Sequence, residues 1–354
     1  MLMKGKVLVT GHQGFIGVLL VPMLIKAGYW VVGLDTNFFG KECEFFKPEL
    51  DGIQTLNKDI RFIEESDLEG VDYICHLAAL SNDPVGELDV KLTYAINYEA
   101  SVNLAKLAKK VGVKRYIYSS SCSLYGVASG GLALTENDAF DPITAYAKSK
   151  VLTEQAVLPL SDMNFAVTCL RNATAYGVSA KLRVDLVVNN LAAWALTTGQ
   201  IKILSDGTPW RPLIHAEDIA RAFLAVIEAP IETINGQAFN VGLNTENYQI
   251  KDIANVVAEI VPHCKVVITG EHGNDSRSYK VDFSKIQHQL PNFKPRWRLK
   301  DALEDILESY RKNRMDDAKF HGKSFVRLKQ LRFLMEQNQV DSNLFWKDKG
   351  YDTR

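Results

Sequence analysis

Apolar residues run without interruption through KVLVT at positions 6 to 10 and again through WVVGLD at 30 to 35. Short runs of this kind, rich in Val and lacking alternation, mark strands buried on both faces. Between them lie a glycine turn, GHQGFIG, and LLVPMLIKAGY, whose apolar positions have helical spacing. The first 35 residues therefore predict strand, turn, helix, strand. The unit recurs: VDYICHLA (71 to 78) and KRYIYSSS (114 to 121) read as buried strands, and NYEASVNLAKLAKKVG between them reads as an amphipathic helix ended at Gly112. Strands alternating with helices at this spacing predict an α/β fold, a doubly wound parallel sheet covered on both faces.

After about residue 175 the rhythm changes. RVDLVVNNLAAWALTTGQ has a helical pattern, but the turn-rich SDGTPWRP follows it in place of another alternating unit. The expected organisation is a dinucleotide-binding domain over 1–175 with a return segment near 214–240. A smaller substrate-binding region would occupy 176–213 and 241–312, and a helical tail 313–354. IHAEDIARAFLAVIEA and IKDIANVVAEIV are further helices, each with acidic residues near its first turn. In the tail, Phe325, Leu328, Leu331 and Leu334 or Met335 share one helical face, which predicts packing on the body or on a second subunit.

Composition narrows the function classes. The 354 residues are 47% hydrophobic and 23% charged, which describes a folded globular protein. The 41 Lys and Arg nearly cancel the 42 Asp and Glu, so no global positive field favours a nucleic acid or an anionic membrane. Five widely spaced cysteines form no CxxC pair, so buried thiols are expected and a metal site is not. MLMKGKVLVTG has no apolar signal-peptide core and no stretch of about 18 apolar residues follows, so a cytoplasmic location is expected.

The chemistry starts at the glycine turn. Gly11, Gly14 and Gly17 follow the first strand directly, spaced so that two allow a tight turn near a pyrophosphate and the third lets the helix meet the sheet. Asp35 ends the second strand, where a carboxylate accepts hydrogen bonds from ribose hydroxyls and repels a 2′-phosphate. NAD is therefore expected rather than NADP. Asp59 and Ile60 either hold the adenine edge or form a surface turn.

Tyr146 and Lys150 in TAYAKSK lie one helical turn apart on one face. A phenol of pKa about 10 is a poor base, but a nearby cation favours phenolate and would let Tyr146 take a proton from a substrate hydroxyl. Alone, the pair also describes a solvated helix surface. The preceding YSSSCSLYG places Ser119, Ser121 and Ser123 on one side of a strand, at the end where open parallel sheets bind ligands.

With these residues in hand the chain resembles the extended short-chain dehydrogenase/reductase family. The likeness is to its nucleotide-sugar branch, which includes UDP-galactose 4-epimerase and the sugar-nucleotide 4,6-dehydratases. The resemblance rests on VTGHQGFIG, Asp35, HLAA (76 to 79), INYEAS with Asn97, SSSCSLYG, YAKSK and RPLIHAEDIA, spread in order over residues 7 to about 310. It implies an NAD-dependent enzyme acting at carbon 4 of a nucleotide-diphosphate sugar, and a homodimer. Tyr146 would be the acid/base, Lys150 its partner and ribose ligand, Ser121 the hydroxyl on the reacting oxygen, and Ser123 a second active-site hydroxyl. Gln13, Phe15, Ile16, Leu77, Ala78, Ala79, Asn97 and Ser119 would meet the cofactor. Arg211 would grip the diphosphate, with Thr174 at a sugar-binding position. Asn190, Arg277 and Asp275 are either nucleotide contacts or surface residues.

Departures from the family pattern bear on the reaction. Cys122 and Ser123 replace the Asp-Glu pair usual in the dehydratases, which counts against dehydration, and Thr174 replaces the epimerase's substrate-binding asparagine. RNATAYGVSAKLRVDLVVNN, FNVGLNTENYQI and SRSYKVDFSKI are closer to a subgroup that includes a GDP-heptose 4-dehydrogenase. A non-catalytic NAD-binding scaffold is the alternative of another class, and it would call for a degraded Ser-Tyr-Lys set.

Overall fold

The computed structural model describes residues 3–127, 132–271 and 277–347. Its centre is a seven-stranded parallel sheet of β1 (Lys6–Thr10), β2 (Trp30–Asp35), β3 (Gln54–Asn57), β4 (Tyr73–His76), β5 (Arg115–Ser121), β6 (Ala166–Asn172) and β7 (Gln237–Val241), in the order β7-β6-β5-β4-β1-β2-β3. Val7, Leu8 and Val9 of β1 are completely buried, and so are Ile117 and Tyr116 of β5. Both faces of the sheet are covered, which is why these strands read as unbroken apolar runs. The strand order reverses between β1 and β4, so the crevice for a ligand opens there, at the carboxyl ends.

Helix α1 (Gly17–Lys26) follows β1, and α2 (Ala100–Lys110) leads into β5. The chain is helical earlier than the pattern predicts, from Val90, and passes a wide π turn at Ala95–Glu99 before α2. There the Asn97 carbonyl accepts from the hydroxyls of Ser101 and Thr153, which accommodates the irregular turn. Helix α3 (Ala145–Val157) is capped by Thr144, whose hydroxyl accepts from the Ala147 amide at 3.1 Å.

Beyond β6, helices α4 (Val187–Thr198), α5 (Ala216–Glu228), α6 (Ile250–Ile260) and α7 (Leu299–Lys312) alternate with short strands. Thr174–Tyr176, Trp210–His215 and Asn247–Gln249 form one small sheet, and Gln200–Ile203 pairs with Lys265–Ile268 in another. Leu191, Ile253, Leu303 and Tyr310 share an apolar core with these strands, separate from the cores beneath the main sheet. Helix α5 returns the chain to the main sheet through β7. The last helix, α8 (Arg327–Glu336), buries Leu331 and Leu334 against the dinucleotide-binding side. Cys43, Cys75, Cys122 and Cys169 are buried.

One interaction locks α3 to the sheet. Arg171 of β6 and Glu154 of α3 form a buried fork, Nη2 to Oε2 at 2.8 Å, and the guanidinium also donates to the Tyr125 hydroxyl and the Glu136 carbonyl. Removing one partner strands the other charge in the interior, which costs about 3–5 kcal/mol. Glu154→Ala is therefore expected to lower unfolding stability by about that amount, measured by urea denaturation. Replacing both residues together, Glu154→Leu with Arg171→Met, is expected to recover most of the loss.

Candidate active site

The carboxyl ends of β1, β2, β4 and β5 open into one cleft that encloses about 760 Å³. Its floor at one end is the glycine turn. Gly11 has φ +72°, and a side chain on Gly17 would lie 2.3 Å from the Gly11 carbonyl oxygen, so the turn and α1 meet at a distance only glycine permits. The first amides of α1 lack intrahelical acceptors and form a natural anion site. Phe15, Ile16 and Gly17 line the cleft there, with Leu77, Ala78 and Ala79 from the loop after β4.

Asp35 lies beside the turn and accepts from the Gln13 and Asn37 amides at 3.0 and 2.9 Å. Asp59 and Ile60 also line the cleft. Asp59 is not a surface turn residue: it is 2% exposed, and its carboxylate caps the next turn while taking the Arg61 fork. Gln13 and Asn97 stand apart from the rest of the expected cofactor set. The Gln13 backbone serves Asp35, and the residue lines a separate shallow depression with His12 and Lys41. Asn97 is completely buried behind the wall, where its amide holds both backbone groups of Leu80 and the Ser149 hydroxyl. It positions the loop and does not face the cleft.

Helix α3 carries Tyr146 and Lys150 into the middle of the cleft, against the end of β5. Lys150 Nζ donates to the Ser119 carbonyl at 2.7 Å and lies 5.5 Å from the centre of the Tyr146 ring. Burial lowers Lys150 to about 7. Burial, with Asp83 close by, pushes Tyr146 up to about 12, while the Ser121 hydroxyl, Arg183 and Arg277 pull the other way. Ser121 Oγ accepts from the Ser123 amide at 3.1 Å. Ser123 lines the cleft, and its buried hydroxyl has no protein partner. Cys122, between them, points away: its Sγ donates to the Arg171 carbonyl, and burial raises the thiol far above its ordinary value.

At the far end of the cleft lie Thr174, Asn190, Arg211 and Arg277. Arg211 is 7% exposed and donates from Nη1 to the carbonyls of Trp210 and Arg277, while Arg277 pairs with Asp83. Asp275 lies outside the described residues. Several cleft residues carry no family motif and the sequence reading missed them. Asn82 Nδ2 reaches Asp185, Arg183 forks onto Asp185 and donates to the Ser81 carbonyl, and Asp83 accepts from the Thr144 hydroxyl. Asn172 donates to Ser119 Oγ at 3.1 Å and keeps an unpaired carbonyl oxygen. Only the SND triplet after HLAAL hinted at polar lining. No cluster of three metal-ligating side chains and no helix long and apolar enough to cross a membrane occurs among the described residues.

A Rossmann-type sheet, a glycine turn with Asp35 beside it, and a Ser-Tyr-Lys cluster at the strand ends define a dinucleotide-dependent enzyme of the short-chain dehydrogenase/reductase kind. Residues 7–242 match the family described as the NAD dependent epimerase/dehydratase family, and the chain belongs to it. Its cofactor is NAD. The chain is 28% identical over 321 residues to a UDP-glucose epimerase of Bacillus subtilis, YtcB, described as uncharacterized, covering 85% of this chain and 96% of that one. It is 24% identical over 330 residues to UDP-glucuronic acid decarboxylase 1 of Arabidopsis thaliana, covering 90% and 72%. Among solved structures, MoeE5 in complex with UDP-glucuronic acid and NAD superposes with a TM-score of 0.75 at 26% identity, over 87% of this chain and 99% of that one.

The buried ammonium gives a test of this geometry. Folding moves Lys150 from 10.5 to about 7, so the unfolded chain binds more protons between those values and stability rises with pH across that window. The burial penalty is complete below pH 7 and vanishes near pH 10.5. Lys150→Met is therefore expected to raise the melting temperature, most at pH 6 and least at pH 10, in calorimetric scans at both. A lower melting temperature at pH 6 would contradict this burial.

Proposed function

We propose that this protein is an oxidoreductase or epimerase that oxidises the carbon-4 hydroxyl of a nucleotide-diphosphate sugar to a 4-keto sugar. The observation that carries it is the convergence of Tyr146, Ser121 and Lys150 in one cleft between the glycine turn and the Arg211–Arg277 end. Gly11, Gly14, Phe15, Ile16 and Asp35 would hold the cofactor, and bound NAD supplies the hydride acceptor. Tyr146 Oη, with the Ser121 hydroxyl beside it, would remove the proton from the sugar oxygen. Its raised pKa makes it a proton donor in the free protein. A positive charge brought close to it favours the phenolate that takes the proton.

Arg211 is suited to the diphosphate because a fixed, buried guanidinium presents paired N–H donors to phosphate oxygens. Cys122 points away from the cleft and Ser123, which lines it, is an alcohol, so neither position offers the Asp-Glu carboxyl pair of the dehydratases. This supports oxidation without dehydration. The intact Tyr-Lys-Ser set also supports catalysis over a scaffold role.

Two measurements test the reading. Incubation with NAD and a panel of UDP- and GDP-sugars, quenched with sodium borodeuteride, is expected to place deuterium at carbon 4 of one of them. No incorporation from any sugar would overturn it. Tyr146→Phe is expected to lower kcat about 10²–10⁴-fold, with a much smaller change in nucleotide-sugar affinity measured by titration calorimetry.

A further inference from the structure

The chain after α7 folds back over the adenosine half of the cleft. The Phe325 carbonyl accepts from the Val184 amide, and Gln330 Nε2 donates to Glu42 at 2.9 Å. Trp346 Nε1 donates to the Thr36 carbonyl at 2.7 Å, with its ring 5.8 Å from Phe38. Phe345 lies under the Arg61 guanidinium, 3.9 Å from its ring centre. The contacts of Gln330, Phe345 and Trp346 fall on the loops that follow β2 and β3, where Thr36, Phe38 and Asp59 line the cleft. Two tail residues, Arg327 and Leu331, line the cleft themselves.

Arg327 is the unusual one. It is 3% exposed, its guanidinium lies 4.1 Å from the centre of the Phe39 ring, and Nη2 donates to the Lys181 carbonyl at 2.9 Å. Nη1 is buried with no partner. The strand of chain it grips is the one that reaches the glycine turn, because Ser179 Oγ donates to the Phe15 carbonyl. Arg183 lies close enough to oppose its charge, with Asp185 and Asp35 only partly compensating, and burial brings Arg327 down to about 10. A buried guanidinium with a spare N–H, beside a second arginine and lining the same cleft as the glycine turn, is matched by an anion.

We propose that Arg327 is a cofactor-binding residue, delivered by the C-terminal tail, whose free Nη1 bonds a phosphate of NAD. The tail is then part of the cofactor site. It fastens the adenosine half from the side opposite the glycine turn, and makes the cofactor slow to leave. The proposal rests on the NAD cofactor alone and stands whichever sugar is used.

The test compares ligands with and without phosphate in the full-length protein. Arg327→Met keeps the stem and removes the charge. It is expected to weaken NAD and ADP about 10- to 100-fold by calorimetry, the range of a charge-assisted hydrogen bond, and to leave adenosine binding unchanged. Arg327→Lys is expected to recover part of the ADP affinity. The same variants are expected to lose bound NAD on gel filtration, followed by absorbance. Equal weakening of adenosine and ADP would show that the residue only supports the cleft wall. Unchanged ADP affinity in folded Arg327→Met, or in Arg327→Gln if the first does not fold, would likewise overturn the proposal.

Discussion

The fit of α3 against the end of β5 is the constraint on which the site depends. Lys150 reaches the Ser119 carbonyl only because α3 lies flat on the sheet, and the Arg171–Glu154 fork fixes it there. The same burial that fixes the geometry removes charge from the chemistry. An ammonium drawn down to about 7 and a phenol pushed up to about 12 are both easily neutral near pH 7. Desolvation opposes the charged form of each. In the proposed reaction the pair would rely on charge brought by its ligands, since a cation close to the phenol would favour the form that removes a proton.

The fold divides the remaining work by position along the cleft. The glycine turn and Asp35 sit at the switch point, where the parallel strands diverge. The small sheet and α4 bring Arg211 and Asn190 to the opposite end. Between them Asp83 bridges Thr144, the cap of α3, and Arg277, so one carboxylate ties the helix that carries Tyr146 and Lys150 to the cationic end. Its charge also holds Tyr146 protonated.

Much of this was legible in the residue pattern, and the parts that were not share a cause. The unbroken apolar runs at β1, β2, β4 and β5 announce strands covered on both faces, and the glycine turn and YAKSK announce local geometry that short spacing determines. Residues whose role is set by distant packing carry no such signal. Asn97 sits in a motif segment, yet a π turn rotates its amide into the wall to hold Leu80. Asp59 looks like a turn residue because its buried fork with Arg61 appears only on folding. The spacing of Phe325, Leu328 and Leu331 shows that the tail packs, but a helix pattern contains no address, and neither the contact with Phe38 nor the place of Arg327 follows from it. Asn82, Asp83, Arg183 and Asp185 come together from segments about a hundred residues apart.

The most direct measurement follows the hydrogen on carbon 4. A substrate nucleotide sugar carrying deuterium there is mixed with NAD-loaded protein, quenched within a single turnover, and the cofactor is examined by mass spectrometry. Hydride transfer at carbon 4 predicts that the deuterium appears on the nicotinamide ring. Product formation with no deuterium on the nicotinamide ring at any quench time, or loss of the deuterium into water, would contradict it.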